Sequence, residues 1–189
     1  MTREVPVFKC LFCDRCCYFE KKVEAPIVFP WEKRLLEEVA ENLGVELFFE
    51  PTLVFKDEKS VCVIGLYRWV IKGYCPFFDK QTRLCIIHDS KPLACKMYPL
   101  LVEMPTNRLM VSAKCEWIKR HGVELLKRLE NKPELIPVVF SNEFEAVRDV
   151  LLEFRAIEDV VKEKNLKRIG DLKECKRAYD LDDYITRFG

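Results

Sequence analysis

Four of the chain's ten cysteines stand within eight residues, in the run Cys10-x2-Cys13-x2-Cys16-Cys17. Two residues between cysteines let successive sulfurs face one hollow while the intervening amides turn toward them, as in zinc knuckles and iron–sulfur loops. Four thiolates so close together would repel one another, so without a metal ion the thiols would stay protonated. Because the adjacent Cys16 and Cys17 cannot comfortably bridge each other in a disulfide, the run predicts metal ligands.

A second group of cysteines follows at wider spacing, at Cys75, Cys85, Cys95 and Cys115. Cys75 precedes Pro76, as does the cysteine that completes the bacterial ferredoxin run, and a third cysteine at the C-x2-C spacing is uncommon in zinc knuckles. These two features favour an iron–sulfur cubane over a lone zinc ion. We therefore expect one centre to be shared by Cys10, Cys13, Cys75 and either Cys16 or Cys17.

A disulfide alternative stays open for the later cysteines. The chain is rich in Lys and Glu and has one Gln and six Gly, a trend typical of hyperthermophile proteins. Intracellular proteins of such organisms do carry disulfides. Cys85, Cys95 and Cys115 are thus either metal ligands or covalent staples, and we favour ligands.

The segments CLFCDRCC and YCPFFDKQTRLCIIHDSKPLACKMYPL together resemble the CxxCxxCC cysteine-cluster family, whose members are described as zinc- or iron-chelating. The resemblance extends from about residue 10 to residue 115. Some members of that family are flagellin lysine N-methylases. It implies an iron–sulfur cluster, in the 4Fe-4S form, or Zn²⁺. The positions that match the family pattern are Cys10, Cys13, Cys16, Cys17, Cys75, Pro76, Asp79, Cys85, Pro92, Cys95 and Pro99, with Cys115 similar to a further downstream cysteine. The resemblance implies that the eight cysteines among them are the metal ligands.

The chain departs from the family pattern at four positions. Asp14 stands where the family usually has glycine, and His88 stands where tyrosine is common. Lysines replace the two usual arginines, at Lys91 and Lys96, so bidentate recognition of a carboxylate or phosphate is not expected there.

The remaining cysteines and the two histidines are assigned structural positions. Cys62 lies in the apolar segment VCVIG and is expected to be a small core residue. Cys175 is expected on the buried stripe of a short helix. His88 is predicted to be a surface turn residue rather than a ligand, and His121 to end a helix at the surface.

The segment pattern predicts an α+β fold: a small cysteine-rich metal-binding core with short antiparallel strands, and a helical C-terminal third. We expect a domain over residues 1–120 and a helical extension over 121–189 packed on it. Pro30 and Gly44 bracket a predicted helix over residues 31–43. Strands are predicted between about residues 47 and 113, with a break or an edge position at Pro51. The segment LLVEMPTNRLMVSA predicts a hairpin that reverses at Pro-Thr-Asn. A long helix is predicted from the cap Asn142 to Asn165, with an apolar stripe at Phe144, Val147, Leu151, Phe154 and Ile157. One short helix is predicted in DLKECKRAYDLDDYITRF.

Composition narrows the functional classes. The net charge is +1 with both signs interleaved, which argues against nucleic acid as a partner. The start MTREVPVFKC does not resemble a secretory signal, and the longest apolar run is far shorter than the ~20 residues that span a bilayer, so we expect a cytoplasmic protein without membrane contact. The six glycines form no Gly-rich loop, and the C-x3-C-x2-C motif of radical S-adenosylmethionine enzymes is absent.

Three functions stay open from the sequence. The leading hypothesis is a metal-cluster protein in a redox, metal-handling or regulatory role, with a protein or redox partner that the sequence does not identify. The second, implied by the family resemblance, is a cluster-dependent protein-lysine N-methyltransferase that uses S-adenosylmethionine. The third is a structural zinc domain that serves as an interaction module.

Overall fold

The computed structural model describes residues 5–104 and 106–188. The helices are α1 (Pro30–Leu43), α2 (Leu93–Lys96), α3 (Glu116–Asn131), α4 (Ile136–Val139), α5 (Ser141–Glu163) and α6 (Leu181–Phe188). The strands are β1 (Tyr18–Phe19), β2 (Ile27–Val28), β3 (Phe49–Lys56), β4 (Val61–Trp69), β5 (Gly73–Tyr74), β6 (Phe78–Asp79), β7 (Leu84–Cys85), β8 (Leu100–Glu103), β9 (Arg108–Val111), β10 (Lys167–Ile169) and β11 (Arg177–Asp180). Helices combined with small, mostly antiparallel sheets make this an α+β protein with a largely helical C-terminal third, as predicted.

The chain divides into two compact units, each built from two stretches of sequence. The first unit contains the described residues up to Phe19 and those from Gly73 to Leu151, and the second contains those from Glu20 to Lys72 and from Leu152 onward. The sequence-based division into a domain over residues 1–120 and a helical extension over 121–189 stays a prediction.

The second unit is organised around a sheet in the order β10-β3-β4-β11, with β2 also paired to β4. Strand β4 is buried along almost its whole length, which fits its nearly continuous apolar sequence. The β3–β4 ladder shifts register on both sides of Leu53, next to Pro51. Pro51 itself still pairs with Tyr67, so the strand is not broken there. The irregularity begins directly after the proline, which cannot donate a hydrogen bond to the ladder.

Helix α1 has the start and stop that its sequence predicts. Pro30 occupies its first turn, and the buried Glu32 carboxylate accepts a hydrogen bond of 2.9 Å from the Phe29 amide. Leu36 and Ala40 face the core. Gly44 ends the helix in a left-handed conformation, with φ of 64°, which costs glycine little.

The C-terminal segment differs from the single short helix that was predicted. It forms a 3-10 turn at Leu172–Glu174, then the strand β11, and only then the helix α6. β11 pairs in parallel with β4, so that Ala178 lies opposite Cys62. The extended conformation of β11 depends on pairing with β4, which lies more than a hundred residues away in sequence. Local propensity therefore does not predict it.

Cys62 and Cys175 form a disulfide across 113 residues of sequence. Cys62 is fully buried, as predicted, but Cys175 lies between the 3-10 turn and β11 rather than on a helix. The core position predicted for Cys62 is thus confirmed, the helical position predicted for Cys175 was wrong, and the bond between them was not predicted. The bond fixes the start of β11 against β4.

The first unit contains three short antiparallel pairs, β1–β5, β6–β7 and β8–β9. The β8–β9 pair confirms the predicted hairpin, although Pro105 of its predicted reversal lies outside the described residues. The most deeply buried side chains of this unit include Phe77, Leu100, Ile118 and Phe140.

Helix α5 begins at Ser141, one residue before its predicted cap Asn142. Of its predicted stripe, Val147, Phe154 and Ile157 are buried, and Phe144 and Leu151 are half-buried. The 3.6-residue periodicity is thus confirmed. No helix among the described residues is both long and apolar enough to cross a membrane.

Candidate metal centre

All eight predicted metal ligands lie in the first unit, and all have free thiols. They come from separate places in the chain: the lead run, the residue after β5, the end of β7, helix α2 and the residue before α3. Folding therefore gathers cysteines that are more than a hundred residues apart in sequence.

The lead run turns sharply because two of its residues adopt left-handed backbone conformations, Phe12 with φ of 49° and Asp14 with φ of 63°. After Asp14 the chain enters a 3-10 turn, Arg15–Cys17, in which the Cys17 amide donates to the Asp14 carbonyl at 2.7 Å. Aspartate is one of the few residues that tolerate this conformation. This explains how Asp14 can occupy a position where the family usually has glycine.

Main-chain amides favour the thiolate form at four of the cysteines, although burial is the larger effect and leaves the pKa of each of these thiols raised. In each case the amide two residues after the cysteine donates a hydrogen bond that opposes the rise, and at one of them a second amide does so as well. The pairs are Phe12 with Cys10, Phe77 with Cys75, Ile87 with Cys85, and both Trp117 and Ile118 with Cys115. Such bonds stabilise the charged form of a thiol and are among the features that tune iron–sulfur clusters.

Backbone hydrogen bonds connect the lead run to the second group of cysteines. The Cys75 amide donates to the Cys17 carbonyl at 2.7 Å, next to the β1–β5 pair in which Tyr18 lies opposite Tyr74. In the β6–β7 pair, Phe78 lies opposite Cys85. Cys17, Cys75 and Cys85 are thereby held in neighbouring positions by the main chain alone.

The thiols crowd one another enough to oppose ionisation. The hydrogen bond with Cys17, together with burial, raises the pKa of the Cys16 thiol well above its ordinary value. Burial raises the pKa of the Cys75 thiol to about 12, with the Cys85 and Cys16 thiols adding to the rise. Burial also raises the pKa of the Cys95 thiol, with Cys75, Cys16 and Cys85 contributing. A bound cation would reverse this balance, because it supplies the positive charge that a set of thiolates lacks.

The charge of one lysine favours the thiolate form at several cysteines. The Lys91 ammonium group opposes the rise in pKa that burial and neighbouring thiols cause at Cys10, Cys16, Cys85 and Cys95, without cancelling it. It also opposes the effect of burial on Glu143, a half-buried carboxyl group whose pKa is raised. Lys91 therefore supplies part of the counter-charge that thiolates need.

The donor set fits zinc or iron in kind, since both metals bind thiolate sulfur. Within residues 5–104 and 106–188, however, no three Cys, His, Asp or Glu side chains stand at the mutual spacing of one ion's ligands. The nearest approach described is that of the Cys16 and Cys17 Sγ atoms, at 3.9 Å. Binding of a metal ion therefore requires the thiols to move from these positions.

The two histidines occupy the positions predicted for them. His88 is exposed, and its Nδ1 atom lies 3.6 Å from an Asp89 carboxylate oxygen. His121 is exposed at the end of the first helical segment of α3, and its Nδ1 atom lies 2.9 Å from the Trp117 carbonyl oxygen.

Sequence reasoning missed the Cys62–Cys175 disulfide, which lies in the second unit, apart from the eight free thiols. One signal could have found it. These are the two cysteines left over from the family pattern, and two unassigned cysteines in one chain are a candidate pair.

Comparison with known proteins identifies the family. Residues 9–121 match the family described as "CxxCxxCC: Putative zinc- or iron-chelating domain". No curated protein and no solved structure shows significant similarity to the chain. The matched segment covers more than half of the sequence and contains all eight free cysteines. The chain thus belongs to the CxxCxxCC family of zinc- or iron-chelating domains.

Proposed function

We propose that this protein holds an iron–sulfur cluster of the 4Fe-4S type through cysteines of the first unit and acts in electron transfer, metal handling or metal-dependent regulation. The observation that carries the proposal is the gathering of eight free thiols in one unit, with main-chain amides hydrogen-bonded to four of them. The Cys75–Pro76 pair and the triple C-x2-C spacing favour a cluster over a single ion.

The protein's own residues hold and stabilise negative charge at this site. Four cysteines receive amide hydrogen bonds, and the Lys91 charge opposes the rise in pKa at the thiols of Cys10, Cys16, Cys85 and Cys95. Both contributions favour thiolate, the form that binds metal. When bound, an iron–sulfur cluster accepts and donates single electrons, at a potential set by such hydrogen bonds and by exposure to solvent.

A structural zinc site is the second candidate, and one distance favours it. A tetrahedral site with Zn–S bonds of about 2.3 Å has sulfur–sulfur edges of about 3.8 Å, and the Cys16 and Cys17 Sγ atoms lie 3.9 Å apart. In a cubane cluster each thiolate binds a different iron, so its sulfurs stand farther apart than on a single ion. The short distance thus fits two ligands of one zinc ion.

Metal and sulfide analysis of protein purified without oxygen separates these candidates. We expect iron and acid-labile sulfide in equal amounts, a brown colour, and an electron paramagnetic resonance signal after reduction. Zinc at full occupancy without sulfide would overturn the iron proposal and favour the zinc domain. If neither metal binds after reconstitution with iron and sulfide, or with zinc, then metal binding itself is contradicted for this chain.

Two variants provide matched controls for that analysis. Cys75→Ser removes a proposed ligand, and we expect it to lower metal content. The double variant Cys62→Ser/Cys175→Ser removes the same kind of group from the second unit, and its metal content should equal that of the wild type. Binding of S-adenosylmethionine by the loaded protein, measured by equilibrium dialysis, would favour the lysine methyltransferase alternative instead.

A further inference from the structure

One disulfide and eight free thiols occur in the same chain. Surroundings that keep cysteines reduced also contain thiolates, and a thiolate opens a disulfide by attacking one of its two sulfurs. Whether the Cys62–Cys175 bond persists beside free thiols therefore depends on how well a thiolate reaches either sulfur. The bond belongs to the second unit, whereas the proposed metal ligands belong to the first.

The two sulfurs of this bond differ in access. Cys62 is fully buried in β4, with 0% of its surface exposed. Cys175 is half-buried in the irregular stretch between the 3-10 turn and β11, and its neighbours Glu174 and Lys176 are both exposed. A thiolate from solvent therefore reaches the Cys175 sulfur first, and the Cys62 sulfur becomes the leaving group.

Two exposed cations directly follow Cys175, Lys176 and Arg177. The acidic residue before it, Glu174, is bound to the Lys56 ammonium group at 2.8 Å. Cations beside a cysteine stabilise its thiolate and attract an anionic attacking thiolate. The charges around Cys175 thus favour exchange at this sulfur.

The bond holds a segment that few other contacts secure. β11 forms one edge of its sheet and pairs with β4 through only the four residues Arg177–Asp180. Of residues 171–188, only Leu181 and Tyr184 are buried. The ion pair between Arg34 and Asp182 is exposed, so it contributes little to stability. Opening the disulfide therefore removes the main restraint on this end of the chain.

We propose that the Cys62–Cys175 bond is a thiol–disulfide exchange site for a dithiol, attacked at Cys175, and that its reduction releases residues 175–188 from the edge of β4. The attacking thiolate bonds to Cys175 Sγ, while Cys62 Sγ leaves with the electron pair of the broken bond and takes up a proton. The second thiol of the dithiol then displaces Cys175 Sγ in the same way. Two electrons and two protons thus pass from the dithiol, which becomes a disulfide, to the two cysteines. This proposal does not rest on the proposed metal-binding function.

The kinetics of reduction test whether the folded protein is attacked. The wild-type protein is isolated without added thiol and incubated with dithiothreitol at several concentrations, then quenched with acid and analysed by alkylation and peptide mass spectrometry. We expect the rate at which Cys62 and Cys175 become free to rise in proportion to the dithiothreitol concentration. A rate that levels off at the rate constant of global unfolding, or a bond that neither is present nor forms with oxidised glutathione, would overturn the proposal.

Reduced glutathione identifies the sulfur that is attacked, because a monothiol forms a mixed disulfide that a second thiol has to resolve. After an acid quench and alkylation, we expect glutathione on Cys175 and the alkylating group on Cys62. Glutathione on Cys62 would contradict the proposed direction of attack.

Paired charge variants test the role of the cations. Lys176→Gln/Arg177→Gln should be reduced by dithiothreitol roughly three-fold more slowly than the wild type at low ionic strength, and the difference should vanish in about 1 M salt. Lys21→Gln/Lys22→Gln is the matched control. It removes the same charge near the other end of β4, where the Arg68 guanidinium donates to the Lys22 carbonyl, and its rate should equal that of the wild type. Equal rates for the two variants would contradict the proposed electrostatic guidance.

Hydrogen exchange of the oxidised and reduced protein tests the release of the segment. Reduction should make amide exchange in residues 177–188 faster by about ten-fold or more, since these amides lose their restraint, while exchange in β3 and β10 stays unchanged. Unchanged exchange in residues 177–188, or an equal increase in β3, would overturn the local release that we propose.

Discussion

Asp14 shows how one residue shapes the lead run. Its φ of 63° places it in the left-handed region, its carboxylate accepts a hydrogen bond of 3.3 Å from the Tyr74 hydroxyl, and it lies 3.9 Å from Arg83. Both contacts are exposed, so they contribute little free energy. The conformation of the backbone, rather than the charge, is what the position requires.

Two substitutions at Asp14 should therefore have different effects. Asp14→Gly should change the free energy of unfolding by less than about 1 kcal/mol, because glycine adopts this conformation readily but also gains freedom in the unfolded chain. Asp14→Val should destabilise by about 1–3 kcal/mol, because a β-branched residue is strained there. Denaturant unfolding of the metal-loaded protein measures both, and a valine variant as stable as the wild type would refute the backbone explanation.

The Lys91 ammonium group should strengthen metal binding, since its charge opposes the rise in pKa of four of the thiols. Lys91→Gln should weaken zinc affinity by roughly ten-fold, the lower end of the effect usual for groups that support metal ligands. Competition with a chromophoric chelator measures the affinity. Lys96→Gln is the control, because it also replaces a lysine where the family usually has arginine. Equal affinities for the two variants would contradict an electrostatic role for Lys91.

At the scale of elements, helix α3 is divided at Gly122, whose φ of 72° and ψ of −173° are not helical. This region of backbone space is essentially restricted to glycine. The break divides α3 into a short helical segment and a longer one. The short segment begins beside Cys115, and its Trp117 and Ile118 amides donate hydrogen bonds to the Cys115 sulfur. Gly122 thus allows the ligand-bearing end of α3 to be oriented separately.

Gly122→Ala should destabilise the protein by about 1–3 kcal/mol through backbone strain alone, because a Cβ atom at this position would meet nothing within 4 Å. Gly170→Ala is a matched control: its surroundings are equally open, and its φ is not positive. Thermal unfolding of both variants should show a lower melting temperature for Gly122→Ala only. Equal melting temperatures would mean that the break carries no strain.

The sequence predicted those elements whose signals are local. Pro30 and Gly44 bracket α1, the Pro-Thr-Asn reversal between two apolar runs marks the β8–β9 hairpin, and the apolar stripe marks α5. It did not predict β11 or the bond of Cys175, because both depend on β4, which is distant in sequence. The cysteine pattern identified the eight candidate ligands, but their grouping depends on side-chain directions that spacing does not specify.

At the scale of the whole molecule, the cysteines of the two units are in different chemical states. The second unit contains a disulfide that closes 113 residues of sequence, whereas the first contains the eight free thiols. In the chain-entropy model a loop of this length contributes about 5 kcal/mol. A metal centre in the first unit would likewise contribute folding free energy, because the unfolded chain binds the metal poorly.

The disulfide and the proposed metal centre should therefore respond to different reagents. Reductant should lower the melting temperature of the second unit and leave metal content unchanged, since it breaks only the Cys62–Cys175 bond. A chelator should remove the metal and destabilise the first unit, with the disulfide intact. Calorimetry with each additive, combined with metal analysis, measures both effects. If the chelator left stability unchanged while reductant abolished it, the stabilising role of the metal would be refuted.

We propose that cysteine sulfur alone holds a metal in this protein. X-ray absorption spectroscopy at the iron and zinc edges, on protein purified without oxygen, identifies the atoms bound to the metal. We predict a first coordination shell made only of sulfur, at about 2.3 Å for zinc, with an additional iron–iron distance if the metal is an iron–sulfur cluster. A first shell of nitrogen or oxygen atoms, in protein whose eight thiols remain open to alkylation, would contradict the claim.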